Sequence, residues 1–152
     1  MILRDDLSLD YFDLLRIPFV EGGRDANGVD CVGLVKLVLE RIGTPAPDGA
    51  FPNDYVGIED AFAHVRRHIE PEQVLDPIKL PWAGYWKPVL PRGAKLGDMA
   101  FFFDGERAHV ASIVHRSRGG TILVLTASAR RGVTVLPLAR IPRLLGIYRL
   151  RA

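Results

Sequence analysis

The last third of the chain consists of short apolar segments separated by turn-forming residues, and this pattern constrains the fold more than any other feature. The segments are rich in β-branched and aromatic residues, and Asp-Gly, Gly-Gly or Arg-Gly pairs stand between them, which is typical of antiparallel strands joined by tight turns. The segments are DMAFFF, HVASIVH, TILVLTA, VTVLPL and GIYRLR. We therefore predict five strands, and we expect the three phenylalanines of the first to be covered on both faces.

Helical patterns precede these strands. After the loop PFVEGGRDANG, apolar residues recur at intervals of three and four from Cys31 onwards, with Asp30 at the N-cap position and Gly43 at the end. A second helix is predicted over residues 57–69, and a short helix is predicted within SLDYFDLLR, capped by Ser8. Helices followed by antiparallel strands predict an α+β fold.

The segment that joins the helices to the strands, residues 71–91, is rich in proline and aromatic residues. Proline removes a backbone donor and restricts its neighbour, so we predict an irregular connection rather than a regular element. The aromatic side chains of Trp82, Tyr85 and Trp86 are expected to pack against the sheet. The alternatives are a platform for sugar or peptide binding and a docking surface.

Length and composition are those of an ordinary globular protein. With 152 residues, 48% of them hydrophobic and 25% charged, the chain fits a single domain over residues 1–152. No apolar run approaches the roughly 18 residues of a membrane span, and Asp5 and Asp6, in what would be the charged region of a signal peptide, argue against a secretion signal. A single cysteine excludes a disulfide within the chain.

The charge distribution is uneven along the chain. Residues 105–152 contain nine arginines and one acid, whereas residues 1–104 contain eleven bases and seventeen acids. Such a skew can favour an anionic partner, but the arginines are dispersed rather than clustered in a basic run. We interpret them as residues of strand faces and turns, and we expect no nucleic-acid partner.

Cys31 lies where a reactive thiol can be stabilised. A free thiol with a pKa of about 8.5 is mostly protonated near neutral pH, and a helix N-terminus or a neighbouring imidazole can favour the thiolate. The position of Cys31 in the first helical turn therefore indicates a nucleophile. The alternative is a small buried core residue, since free cysteine is among the most buried residue types.

The four histidines differ as candidate partners for this thiol. His64 and His68 have the spacing of a helical metal-binding pair, but Val-Arg-Arg between them offers no third ligand, so we expect no metal. His109 and His115 lie on one predicted strand and, six residues apart, are predicted to point to the same side of it. His109 opens the strand and is the preferred general base.

The motifs GGRDANGVDCVGL, KLGDMAFFF, AHVASIV, TASARRGV and GIYRL, in this order, closely resemble the NlpC/P60 superfamily of papain-like cysteine peptidases. The compact form found among phage tail-tip proteins, the phage cell-wall peptidases, is the most similar. The resemblance runs from about residue 18 to the C-terminus. It implies a papain-like fold in which N-terminal helices pack on a five- to six-stranded antiparallel sheet.

The resemblance also implies roles for individual residues. Cys31 matches the nucleophile, His109 the general base, and Thr126 stands where the family has the polar residue that orients the imidazole. Asp30 and Val32 match positions associated with binding of the substrate's free amine. Glu21 stands where many members have a tyrosine that contributes to the site.

Two functions follow from this resemblance. The first is a cysteine endopeptidase without cofactor that cuts peptidoglycan stem peptides, as part of a phage tail that is assembled in the bacterial cytoplasm and acts in the periplasm or cell wall. The second is a structural tail-tip or baseplate subunit with a degenerate site, since the hydroxyl of Thr126 is a weaker partner for imidazole than the usual amide or imidazole group. Both imply other tail-tip or baseplate proteins as partners.

Overall fold

The computed structural model describes residues 7–47, 50, 85–104 and 108–151, which contain the five predicted strands and the predicted helix around Cys31. The helix predicted over residues 57–69 lies outside these residues, as does Trp82. The described part has an α+β architecture, with one α-helix packed on an antiparallel sheet.

The sheet contains all five predicted strands. The strands of its main path span Trp86–Val89 (β4), Met99–Phe103 (β5), Ala108–Arg116 (β6), Ile122–Ser128 (β7), Gly132–Pro137 (β8) and Leu144–Leu150 (β9). Their order in the sheet is β4-β9-β5-β6-β7-β8, and every neighbouring pair is antiparallel. Glycines with positive φ occur at the turns before β7 and at the start of β8, at Gly120 and Gly132, as the turn pattern predicts.

Strand β4 corrects the prediction of an irregular connection over residues 71–91. Its proline, Pro88, is tolerated because β4, among the strands that the structure describes, lies at the edge of the sheet and pairs only with β9. Trp86 in β4 is buried, and its indole N–H donates to the carbonyl of Ala50 over 2.7 Å. Tyr85 just before it remains exposed. The predicted packing against the sheet is therefore confirmed for Trp86.

The helix α1, Cys31–Arg41, begins and ends where the sequence predicts. Asp30 is its N-cap, and its side chain accepts a hydrogen bond from the backbone N–H of Gly33. Gly43, with a φ of 85°, follows the last turn. Among the described residues α1 is the sole α-helix, so the expected set of N-terminal helices is reduced to one there.

The prediction of a short helix capped by Ser8 within SLDYFDLLR is wrong in its start and in its cap. Ser8 belongs to a two-residue strand, β1 (Leu7–Ser8), which pairs with the end of β6, and a 3-10 helix follows at Phe12–Arg16. Pro18 forces the preceding Ile17 into an extended conformation, which leaves too few residues for an α-helix.

Side chains on the two faces of the sheet form separate apolar layers. The helix face, which carries α1, includes Phe101, Val110 and Leu125. The far face includes Phe102 and Val124 and is packed against the segment around a 3-10 helix that follows β8. Phe101 and Phe102 are both buried, so the prediction that both faces of this strand are covered is confirmed.

A bulge in β6 changes which side chains share a face. Ile113 pairs with Val124, but His115 pairs with Leu123, so Val114 is an extra residue on β6. Leu123 packs against the helix-face layer, and its partner His115 therefore lies on that side. The prediction that His109 and His115 share a side is wrong because it assumed unbroken alternation.

A hairpin replaces part of the loop predicted before α1. Its strands are β2 (Arg24–Asp25) and β3 (Gly28–Val29), and the hairpin packs directly on the start of the helix. A Cβ atom at Gly33 would collide with the backbone carbonyl oxygen of Gly23. The close approach of these two backbones therefore requires glycine at position 33.

The contact between Gly33 and Gly23 predicts that a Gly→Ala substitution, which usually stabilises a helix, is destabilising at position 33. Gly→Ala inside a helix normally stabilises by roughly 1 kcal/mol, but we expect Gly33→Ala to lower the free energy of unfolding by about 1–3 kcal/mol because backbone must shift. Urea unfolding of both proteins measures this. Gly93→Ala, where nothing lies within 4 Å of the added Cβ, is the control. Equal or higher stability of Gly33→Ala would contradict the close approach.

Candidate functional site

The start of α1 is fixed by the buried carboxylate of Asp30. One oxygen, Oδ1, accepts the backbone N–H of Gly33 over 2.8 Å and Nη1 of Arg24 over 2.6 Å. The other oxygen, Oδ2, accepts the backbone N–H of Gly22 over 3.1 Å. Arg24 also donates to the carbonyl of Gly23 over 3.0 Å. The carboxylate thus ties the glycine loop, the hairpin and the helix together.

The contacts of Asp30 differ from those that its predicted role in substrate binding requires. A carboxylate that binds a substrate amine needs an accessible oxygen, but Asp30 is fully buried and both of its oxygens accept protein donors. Arg24 already supplies the cation. In this conformation Asp30 is the N-cap of α1 and the counter-ion of Arg24, a pairing that no motif in the sequence singles out.

Cys31 is the first residue of α1, as predicted, but its thiol is covered. It is completely buried and packs in one apolar cluster with Phe101, Val110 and Tyr148. Burial raises the pKa of the Cys31 thiol to about 12; a backbone hydrogen bond from Val110 lowers it, and the charge of Asp30 raises it further. The expectation of a thiol poised for ionisation is therefore wrong for this conformation, because desolvation outweighs the helix N-terminus.

His109 lies near the start of β6, as predicted, and its imidazole is nearly buried. Nε2 lies 2.7 Å from Oδ2 of Asp104, whose side chain is 38% exposed. The ring stacks on Phe102 with 5.4 Å between the centroids and 23° between the planes. An acid and an aromatic ring therefore hold the imidazole from two sides.

The structure places the thiol and the imidazole on opposite faces of the sheet. Cys31 packs with Val110 on the helix face, whereas His109 stacks on Phe102, which belongs to the far face. Neighbouring residues in a strand point to opposite faces, so Val110 and His109 necessarily diverge. The thiol of Cys31 and the imidazole of His109 therefore do not meet in this conformation, because the sheet lies between them.

Thr126 shares the far face with His109 but does not bind it. Its neighbours Leu125 and Ala127 belong to the helix-face layer, so Thr126 points away from the helix. Its hydroxyl donates to the carbonyl of Val110 over 2.9 Å. Asp104 holds the imidazole instead. The sequence does not indicate Asp104 as the partner of His109, because its Asp-Gly pair is typical of a turn.

The remaining predicted substrate-binding residues lie apart from one another. Glu21 is exposed in the turn before the glycine pair, whereas Val32 is buried in the same cluster as Cys31. Val32 therefore acts as a core residue here. A groove of about 560 Å³ between the 3-10 helix at Phe12–Arg16 and the outer side of α1 contains none of the predicted site residues.

The described residues offer no metal centre and no membrane-spanning helix. No group of three or more His, Cys, Asp or Glu side chains in them is arranged to hold a metal ion. Within the same ranges, no helix combines the length and apolar character that crossing a bilayer requires. His64 and His68, the pair with helical metal-binding spacing, lie outside the described residues.

Comparison with known proteins adds no assignment to this geometry. No family model and no curated protein matches the chain.

The raised pKa of Cys31 predicts a pH dependence of stability. The thiol has an ordinary pKa of 9.0 and a folded-state value of about 12, so the unfolded chain loses its proton first. The contribution to stability is fully present below pH 9 and is lost as the pH rises towards 12. We expect the unfolding free energy of the wild type to fall relative to Cys31→Ala by up to about 1.4 kcal/mol per pH unit in this range.

Urea titrations of both proteins at several pH values measure this difference, because the other titrating groups are common to the two. Parallel pH profiles would show that the thiol ionises as readily in the folded protein as in the unfolded chain.

Proposed function

We propose that this chain is a cysteine endopeptidase of the NlpC/P60 type that acts on peptidoglycan stem peptides as a component of a phage or phage-like tail tip. The observation that carries the proposal is the position of the sole cysteine. Cys31 is the first residue of α1 and lies against the backbone of Val110, the residue that follows His109 in β6. The order of the sequence motifs supports the same family.

The arrangement of the elements supports this proposal further. The helix that carries the thiol packs on β6 and β7, the strands that carry His109 and Thr126. The Asp30 carboxylate holds the first turn of this helix against the glycine loop. The backbone N–H groups of a first helical turn have no intrahelical acceptor, so that of Cys31 can serve as an oxyanion donor.

The proposed reaction is acyl transfer through a covalent intermediate. The Cys31 sulfur attacks a peptide carbonyl while His109 takes the thiol proton, and the resulting imidazolium protonates the leaving amine. Water then attacks the thioester, His109 takes a proton from it, and the free thiol and the carboxylic acid product are released. This sequence requires the thiol to become accessible and the imidazole to reach the helix face, two changes from the conformation described above.

The assay for this function is digestion of purified muropeptides, with the products identified by mass spectrometry. We expect cleavage by the wild type and a loss of at least about a thousandfold in Cys31→Ala, because the nucleophile is removed. His109→Gln should be similarly impaired. Turbidity loss of permeabilised Gram-negative cells gives a second readout.

A control separates lost chemistry from lost folding. Val38 is buried on the same helix, and Val38→Ala removes core volume without touching the candidate site. This variant should retain cleavage at temperatures where it is folded. Unchanged cleavage by Cys31→Ala would exclude the proposed nucleophile.

A second candidate function is a structural tail-tip or baseplate subunit that does not turn over substrate. Three observations favour it: the thiol is completely buried, its pKa is raised to about 12, and the imidazole lies on the opposite face of the sheet. In this case the conformation described above is the functional one, and the helix start serves only to hold the fold together.

Alkylation by iodoacetamide distinguishes the two candidates. An active peptidase should be modified at Cys31 within minutes at pH 6, and His109→Gln should slow this reaction. A structural subunit should react at least about a hundredfold more slowly than the same chain unfolded in urea, because a buried protonated thiol is a poor nucleophile. Peptide mapping identifies the modified residue, since Cys31 is the chain's sole cysteine.

A further inference from the structure

We infer that Asp104 is the residue that positions His109, by accepting the Nε2 proton and so leaving Nδ1 as the basic nitrogen of the ring. The inference begins from the contact of 2.7 Å between Nε2 and Oδ2 of Asp104. This is a short hydrogen bond to a charged acceptor, a class that is stronger than bonds between neutral groups. Its catalytic meaning rests on the proposed function, but the contact itself does not.

The surroundings of the ring limit the other ways in which it can be held. Stacking on Phe102 fixes the plane of the imidazole, and only 7% of the His109 side chain is exposed. Thr126, the orienting residue that the family resemblance implies, donates its hydroxyl hydrogen to Val110 instead. Of the two carboxylates in residues 85–104 and 108–151, Asp98 is bound by Arg149 over 2.8 Å, and the other is Asp104.

The chemistry of the pair determines the tautomer. A carboxylate has acceptors but no donor, whereas each ring nitrogen of a neutral imidazole is either a donor or an acceptor. Nε2 facing Asp104 must therefore carry the proton, and Nδ1 keeps the lone pair. In the proposed peptidase, Nδ1 is then the atom that receives the thiol proton, and the carboxylate stabilises the imidazolium that results.

The test uses two signals of His109 in the uniformly labelled full chain: two-bond ¹H–¹⁵N spectra report the tautomer, and the one-bond ring N–H signal reports exchange with water. Both are assigned by their disappearance in His109→Gln. In the wild type we expect a proton on Nε2, shifted downfield and slow to exchange with water. In Asp104→Ala its exchange should accelerate by at least about tenfold, because the charged acceptor is gone. Asp104→Asn should be intermediate, since its amide oxygen can still accept.

Asp13 provides the matched control, because its carboxylate also forms an ion pair, but with Arg41 at the C-terminal end of α1. Asp13→Ala should leave the His109 signal unchanged. A proton on Nδ1 in the wild type, or unaltered exchange in Asp104→Ala and Asp104→Asn, would overturn the inference. The experiment needs neither substrate nor a reactive thiol, so it remains decisive if the muropeptide assay shows no cleavage.

Discussion

The buried carboxylate of Asp30 is the interaction on which the rest of this structure depends. It caps α1, receives the N–H of the glycine loop and neutralises Arg24. Removing one member of a buried, hydrogen-bonded ion pair leaves an uncompensated charge, which is far more costly than the pair's net contribution. Because Asp30 directly precedes Cys31, these bonds hold the start of α1 against the hairpin and the glycine loop.

The elements of this fold could be predicted well because local patterns decide them. The period of three to four in α1, its Asp30 cap and the glycine turns between strands each have a direct structural meaning. Tertiary features were harder to predict. The sequence places Cys31 at a helix start but does not show which residues cover it. The alternation of side chains along β6 also does not show which of them face the helix, and this is known only from the packing of Phe101 and Phe102 in the two layers. The same limit hid the pairing of Asp104 with His109.

The candidate site consists of two separate halves. On the helix face, the thiol is protected by apolar side chains and by a neighbouring negative charge. On the far face, the imidazole is held by Asp104 and Phe102. Each half supplies one of the two groups that a cysteine hydrolase needs: the helix face has a thiol at a helix start, and the far face has an imidazole bound to an acid. The backbone of β6 separates them.

The position of Cys31 and His109 on opposite faces of the sheet determines what must change before the two groups can meet. Each side chain of a strand points to one of the two faces of the sheet. Whether the thiol and the imidazole can meet therefore depends on which face His109 occupies, that is, on its odd or even position along β6. Point substitutions leave parity unchanged, but one inserted or deleted residue ahead of His109 would exchange the two faces for everything up to the bulge. The extra residue Val114 shows that β6 already tolerates such a change at its other end. For the proposed peptidase, the backbone of β6 ahead of His109 therefore has to change its twist or register before the imidazole can face the thiol.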